Sequence, residues 1–184
     1  MFEHDYEIYG LHATYLKYLV NNLQIFERYI DVYMTAAVVG ALNNRKKTIE
    51  VESTDRARIY AEQFNTEHVR CNEIFKTIIL ADKSMHWPNE EKINICFRYR
   101  DKKDDMALNK VSDEEIEKMK EAKVLFNDYV LGGIEILYET FANKTDTSTV
   151  EIVDTVYKAI FDHHNFIESM ECEESEDNLF SPEY

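Results

Sequence analysis

An all-α protein, with a four-helix bundle-like core of long amphipathic helices and an irregular insert between helices 2 and 3, is what three features of the sequence predict. Apolar residues recur at alternating steps of three and four along four long stretches. Glycine and proline number only four and two in 184 residues, too few for the many turns of an all-β chain. At 45% hydrophobic, the chain can bury a core, and its length fits a single helical domain over residues 1–170, with 171–184 as an acidic tail.

The first helix is expected over Leu11–Asn44, where Leu16, Leu19, Leu23, Phe26, Ile30, Tyr33 and Ala37 stack in one stripe. Unbroken, it spans about 45–50 Å. Its second half, Val32 to Leu42, is apolar on nearly every face and therefore belongs at the centre, enclosed by the other helices. Residues 1–10 form an acidic, tyrosine-bearing lead-in ending at Gly10, which either packs as a short turn or frays. Arg45, Lys46 and Lys47 follow the helix and suit the negative end of its dipole; the other reading is a local contact to phosphate or to an acidic partner.

Ser53, Thr54 and Asp55 are good caps for a second helix running to about Leu80, with a seam of Ala57, Ala61, Phe64, His68, Cys71, Phe75 and Ile78. The pattern then degrades. Trp87-Pro88-Asn89 reads as a turn, and Ile93, Ile95, Phe97 and Tyr99 alternate with polar residues, so 93–100 is either a short strand or a helical turn after Asn89. Asp101–Asp105 reads as a solvated loop. Ser112-Asp-Glu-Glu115 is a capping box that opens a third helix to about Ala142, built on Ile116, Met119, Phe126, Val130 and Leu137. Within it, Gly132-Gly133 marks either the close approach of another helix or a kink.

A polar linker over 143–147 and a second capping box, Ser148 to Glu151, introduce the fourth helix. Its seam is Val150, Val153, Tyr157, Ile160, His164 and Ile167, and it ends near Met170. The tail beyond it holds no Lys or Arg, and its Leu179, Phe180 and Tyr184 resemble the anchors of a short acidic linear motif.

The net charge of -15, from 36 acidic and 21 basic residues, argues against strong nucleic-acid binding by this chain alone, because counterion release needs a basic face. It suits a partner of basic surfaces. Cys71, Cys96 and Cys172 are odd in number and lack metal-knuckle spacing, so a reducing compartment is expected. Phe2 to Glu7 has neither the basic nor the apolar region of a signal peptide, and Val32–Leu42 is too short for the ~20 residues of a membrane span. A cytoplasmic location is the expectation.

His12, His68 and His164 lie at seam positions, and in an up-down bundle His68 and His164 fall at similar heights. Asn65 and Phe161 stand three residues before them, where carboxylate-bridged di-iron bundles place glutamate, so the expectation is two core histidines hydrogen-bonded to tyrosine or backbone. Glu114 and Glu117 form a single Glu-x-x-Glu pair with no partner pair on the second helix, which reads as a solvated helix start. No nucleophile motif, phosphate loop or cofactor fingerprint is present, and no cofactor is expected.

The functional expectation is a non-enzymatic accessory or regulatory subunit, with an immunity, antitoxin or anti-defence role as its narrower form. Acidic helix faces and Tyr15, Tyr18, Tyr29, Arg45, Lys46, Lys47, Leu179, Phe180 and Tyr184 would contact a protein partner, and self-association stays open. Two alternatives stand beside it: a metal- or nucleotide-dependent enzyme with its site near His68 and His164, and an accessory subunit of a nucleic-acid-processing complex.

Overall fold

The computed structural model describes residues 2–49, 54–99, 112–142, 152–162, 164 and 165. These residues are mostly helical, with one small two-stranded sheet, and none of their helices is long and apolar enough to cross a membrane. The chain divides into two units, Met1–Glu139 and Thr140–Tyr184.

The first unit opens with a strand, β1 (Tyr6–Tyr9), paired antiparallel with β2 (Arg56–Ile59) in the register Tyr6 to Ile59 and Ile8 to Ala57. Arg56-Ala-Arg-Ile alternates polar and apolar, so Ala57 and Ile59 are buried with Ile8, while Arg58 crosses to Glu7 on the outer face. The chain passes directly from β1 into α1 (Gly10–Lys17), and Gly10 takes φ 67°, a conformation that glycine adopts without strain. Asp55, just ahead of β2, holds α1 by accepting from Thr14 Oγ1 at 2.6 Å and from the Lys17 ammonium.

The expected single first helix is broken. Lys17 leads into a π-helical turn, Tyr18–Asn22; the backbone then turns at Gln24 with φ 53° and re-enters helix at α2 (Tyr29–Leu42). Asn21 and Asn22 are weak helix formers at the break. A new helix start is fixed at Arg28, whose backbone N–H donates to Asp31 Oδ2 at 3.1 Å and whose guanidinium holds both Asp31, at 2.7 Å, and Glu67, at 2.8 Å. Apart from Phe26, which is half-buried at the break, the apolar stripe survives: Leu16, Leu19, Leu23, Ile30, Tyr33 and Ala37 are all buried. Asp31→Ala is expected to lower stability by about 1 kcal/mol, read from the urea midpoint at unchanged m.

The second expected helix is also divided, into β2, α3 (Ala61–Thr66) and α4 (His68–Ala81), with the helical path interrupted at Glu67 (φ -98°, ψ 16°). Phe64, Cys71, Phe75 and Ile78 of its seam are buried as expected, but His68 is exposed. The open choice at 93–100 resolves over 93–97 as a helix, α5 (Asn89–Phe97), with Pro88 at its N-cap; residue 100 lies outside the described residues. Lys92 reaches the Leu80 carbonyl at 3.3 Å and Cys96 Sγ the Lys76 carbonyl at 3.7 Å, so α5 runs back along α4.

The third expected helix forms as read: α6 (Asp113–Ala142) begins with a reciprocal box in which Ser112 N–H donates to Glu115 and Glu115 N–H to Ser112, each at 3.1 Å. Its glycines serve close approach. A Cβ on Gly133 would sit 1.8 Å from the Ala36 carbonyl oxygen, and one on Gly40 would sit 2.0 Å from that of Tyr129, so α2 and α6 cross backbone to backbone. Above the crossing, Tyr33, Phe64, Phe75 and Phe126 form an aromatic core. Phe2 enters it from the lead-in, stacking on Phe64 with ring centroids 5.5 Å apart.

In the second unit, residues 152–162 form a helix, α7, on which the Tyr157 and Phe161 rings stack at 6.4 Å. Val153, Tyr157, Ile160 and His164, of the expected fourth seam, are exposed. Four uninterrupted rods are therefore not what the described residues form. The second capping box, Ile167, Met170 and the tail with Leu179, Phe180 and Tyr184 lie outside the described residues.

Candidate interaction surface

Of the basic cluster after α2, Arg45 and Lys47 pair with acids of α6. Arg45 grips Glu139 with both guanidinium nitrogens at 2.7 and 2.8 Å and meets Glu135 at 2.6 Å. These hydrogen bonds, led by those of Glu139, lift the Arg45 pKa further above its ordinary value and hold the Glu139 carboxyl below its own. Lys47 reaches the same Glu135 at 3.3 Å, and its backbone N–H donates to the Asp128 carbonyl at 2.9 Å. Lys46 donates to Ser84 Oγ at 2.7 Å and lies 5.4 Å over the Tyr129 ring. The three cations thus fasten the segment after α2 onto α6.

The candidate tyrosines have partners within the protein. Tyr15 stacks on Tyr138 with centroids 3.8 Å apart, Tyr18 meets the same ring edge-on at 5.5 Å, and the Tyr29 hydroxyl accepts from the Asn21 amide at 3.3 Å. All three are half-buried.

His68 corrects the expectation of a core histidine pair. It stands exposed on the first turn of α4, with Nδ1 3.0 Å from the Asn65 carbonyl, because the break at Glu67 turns it off the seam. His164 is exposed in the second unit. Among the described residues the buried histidine is His12, 5% exposed, with its ring edge-on to Tyr15 at 6.5 Å. Among the described residues no group of three or more His, Cys, Asp or Glu could hold a metal ion. Burial pushes the Cys71 thiol up to about 11 and raises that of Cys96, which keeps both thiols protonated at neutral pH.

Sequence reading missed a buried polar knot at the end of α4. Asp82, 6% exposed, accepts the Tyr129 hydroxyl at 2.5 Å, the Ser84 hydroxyl at 2.9 Å, and the backbone N–H groups of Ser84 and Met85 at 2.9 and 3.1 Å. Its backbone carbonyl takes the ammonium of Lys92, itself 8% exposed. Burial pushes the Asp82 carboxyl up, but the hydrogen bonds from Tyr129, Met85 and Ser84 outweigh it and hold the group below the usual carboxylate range. Burial, with Asp82 as acceptor, pushes the Tyr129 phenol up to about 12.

Outside this knot lies an open groove of about 520 Å³ lined by Lys46, Met85, Leu125 and one line of α6: Glu117, Lys120, Glu121, Val124 and Asp128. Glu114, Glu117, Glu121, Val124 and Asp128 recur at steps of three, four, three and four, which places four carboxylates and a valine 60% exposed along a single helix face. Lys118 and Lys120 answer Glu121 and Glu117 at 3.2 Å each, partly offsetting the stripe. Burial raises the Asp128 carboxyl, opposed by Lys46. The spacing is in the sequence, where Glu114 and Glu117 alone read as a solvated helix start.

A second cavity, about 140 Å³, lies against the aromatic core between the lead-in and α6, with Asp5, Lys123 and Asn127 among its lining residues; Tyr33 donates to Asn127 at 2.8 Å. Comparison of the chain with models of known protein families, with curated proteins and with solved structures finds no match.

Proposed function

We propose that this chain is a non-enzymatic helical interaction protein whose α6 face takes a basic segment of a protein partner. One observation carries the reading: the line Glu114, Glu117, Glu121, Val124 and Asp128, which sets carboxylates on either side of an exposed valine beside an open groove. Apolar contact at the centre with charge around it is the composition of a docking strip. The net charge of -15 supports the choice of a basic partner, and so does the internal pairing of Arg45 and Lys47, which removes cations that would repel it. An immunity or antitoxin role, with the acidic face covering a basic channel of a nuclease, is the narrower form. Regulatory or accessory subunits in the cytoplasm fit the same chemistry.

The test is co-purification of the tagged full chain from its native source across about 0.05–0.5 M salt, where screening shortens from over 10 Å to a few ångströms. A partner with a Lys/Arg-rich contact segment is expected at low salt, lost at high salt and lost in Glu117→Lys with Glu121→Lys. Binding indifferent to both salt and the charge reversal would overturn the proposal.

A further inference from the structure

The paired helices α4 and α5 leave an apolar ridge in solvent, and its charges are arranged to fit a second copy of itself. Leu80, Ile93 and Phe97 are 40%, 42% and 62% exposed. Ile93 and Phe97 lie one turn apart on α5, and Leu80 lies on α4 one turn after Lys76, whose ammonium sits over the Phe97 ring. Glu90, three residues before Ile93, continues the same face at the N-terminal end of α5. At the other end stand two cations: Lys76, with Nζ 4.7 Å over the Phe97 ring, and, beside the line, Arg98, exposed at the cap of α5 with Nη1 donating to Asn94 at 2.8 Å. The ridge is thus acidic at one end, apolar in the middle and basic at the other.

A patch with that order is complementary to itself under a two-fold rotation, because the rotation brings each acidic end onto the partner's basic end and superposes the apolar centres. From Glu90 to Arg98 the helix rises by about 12 Å, short enough for one axis near its midpoint to join both ends. We infer that the chain forms a symmetric dimer through α5, with Ile93 of each copy against Phe97 of the other and Glu90 against Arg98 and Lys76. The partner is fixed by the charge order: a uniformly basic segment would meet two cations at the Phe97 end, whereas a second copy meets opposite charge at both. The ridge shares no residue with the α6 groove, so dimerisation and partner binding stand or fall separately.

Sedimentation velocity of the full chain from low micromolar to about 100 μM is the experiment. The wild type is expected to reach a dimer of the 21.8 kDa chain, and Phe97→Asp to stay monomeric with an unchanged circular dichroism spectrum. Glu90→Arg and Arg98→Glu should each weaken the dimer by about tenfold, since every lost pair occurs twice across the axis, and the two together should restore it. If Phe97→Asp fails to fold, the restoration by the charge swap decides alone. A monomeric wild type at every concentration overturns the inference, as does a dimer that survives Phe97→Asp, or a double swap no tighter than the single reversals.

Discussion

Gly133→Ala is expected to destabilise the protein by about 3 kcal/mol or more, the overpacking cost of forcing two helices apart. Helix propensity alone predicts the opposite sign, because replacing glycine by alanine inside a helix gains about 1 kcal/mol. The sign therefore tests the crossing. A Cβ at 1.8 Å from the Ala36 carbonyl oxygen meets backbone in the middle of α2, which no side-chain rotation relieves. Gly40→Ala, whose Cβ would meet the Tyr129 carbonyl oxygen at 2.0 Å, should behave alike. Gly132→Ala faces the Arg45 carbonyl oxygen at 2.0 Å, but that oxygen belongs to the segment after α2, which can shift more cheaply than a helix interior. Chemical denaturation should rank Gly133→Ala and Gly40→Ala well below Gly132→Ala. A Gly133→Ala protein as stable as the wild type would contradict the crossing.

Asp82→Ala is expected to cost about 3 kcal/mol, because it takes the acceptor from the N–H groups of Ser84 and Met85, just after α4, and leaves the buried Tyr129 hydroxyl only the longer contact to Asn44 at 3.3 Å. Asp82→Asn should cost less, since it keeps one acceptor oxygen, yet it cannot accept on both sides as the carboxylate does. The pH dependence follows from the direction of the shift. The folded carboxyl is held below its unfolded value near 4, so its contribution is fully present above that pH and is lost as pH falls through the folded value. Wild-type stability should therefore drop between about pH 4 and 2 more steeply than that of Asp82→Asn. Parallel acid profiles for the two proteins would show that the knot does not depend on this charge.

Local signals that stand on a few neighbouring residues were legible in the sequence. The Ser112–Glu115 box and the extent of α6 are as read, and the Gly132-Gly133 pair marks a close approach, as one of its two readings held. Helical periodicity overreached in the first half of the chain. A stripe at steps of three and four stays on one side of the core even when the backbone breaks beneath it, so its members from Leu16 to Ala37, all but Phe26, are buried across a π-helical turn and a left-handed residue that the stripe itself does not reveal. The same blindness placed His68 on the seam, whereas the interruption at Glu67 turns it outward.

The strand pair was not legible for a different reason. Arg56 to Ile59 alternates cleanly, but its partner is Tyr6–Tyr9, about 50 residues earlier, and pairing over that separation is invisible to a local window. At Ile93–Tyr99 the alternation is real, yet the acidic first turn at Glu90 and Glu91 after Pro88 starts a helix instead. Of the candidate surface, the acid line on α6 was readable from spacing. The Asp82 knot was not, since it joins a loop residue to Tyr129, 47 positions away.

Photo-crosslinking from a benzoylphenylalanine placed at Val124, in the full chain expressed in its native source, tests the docking face most directly. Adducts to a protein partner that map to a Lys/Arg-rich segment, and that disappear when Glu117 and Glu121 are reversed to lysine, are the expected result. Adducts that persist through the reversal or map to an acidic or neutral segment would contradict it, as would no adduct from Val124 while the same probe at Phe97 captures a partner other than a second copy of the chain.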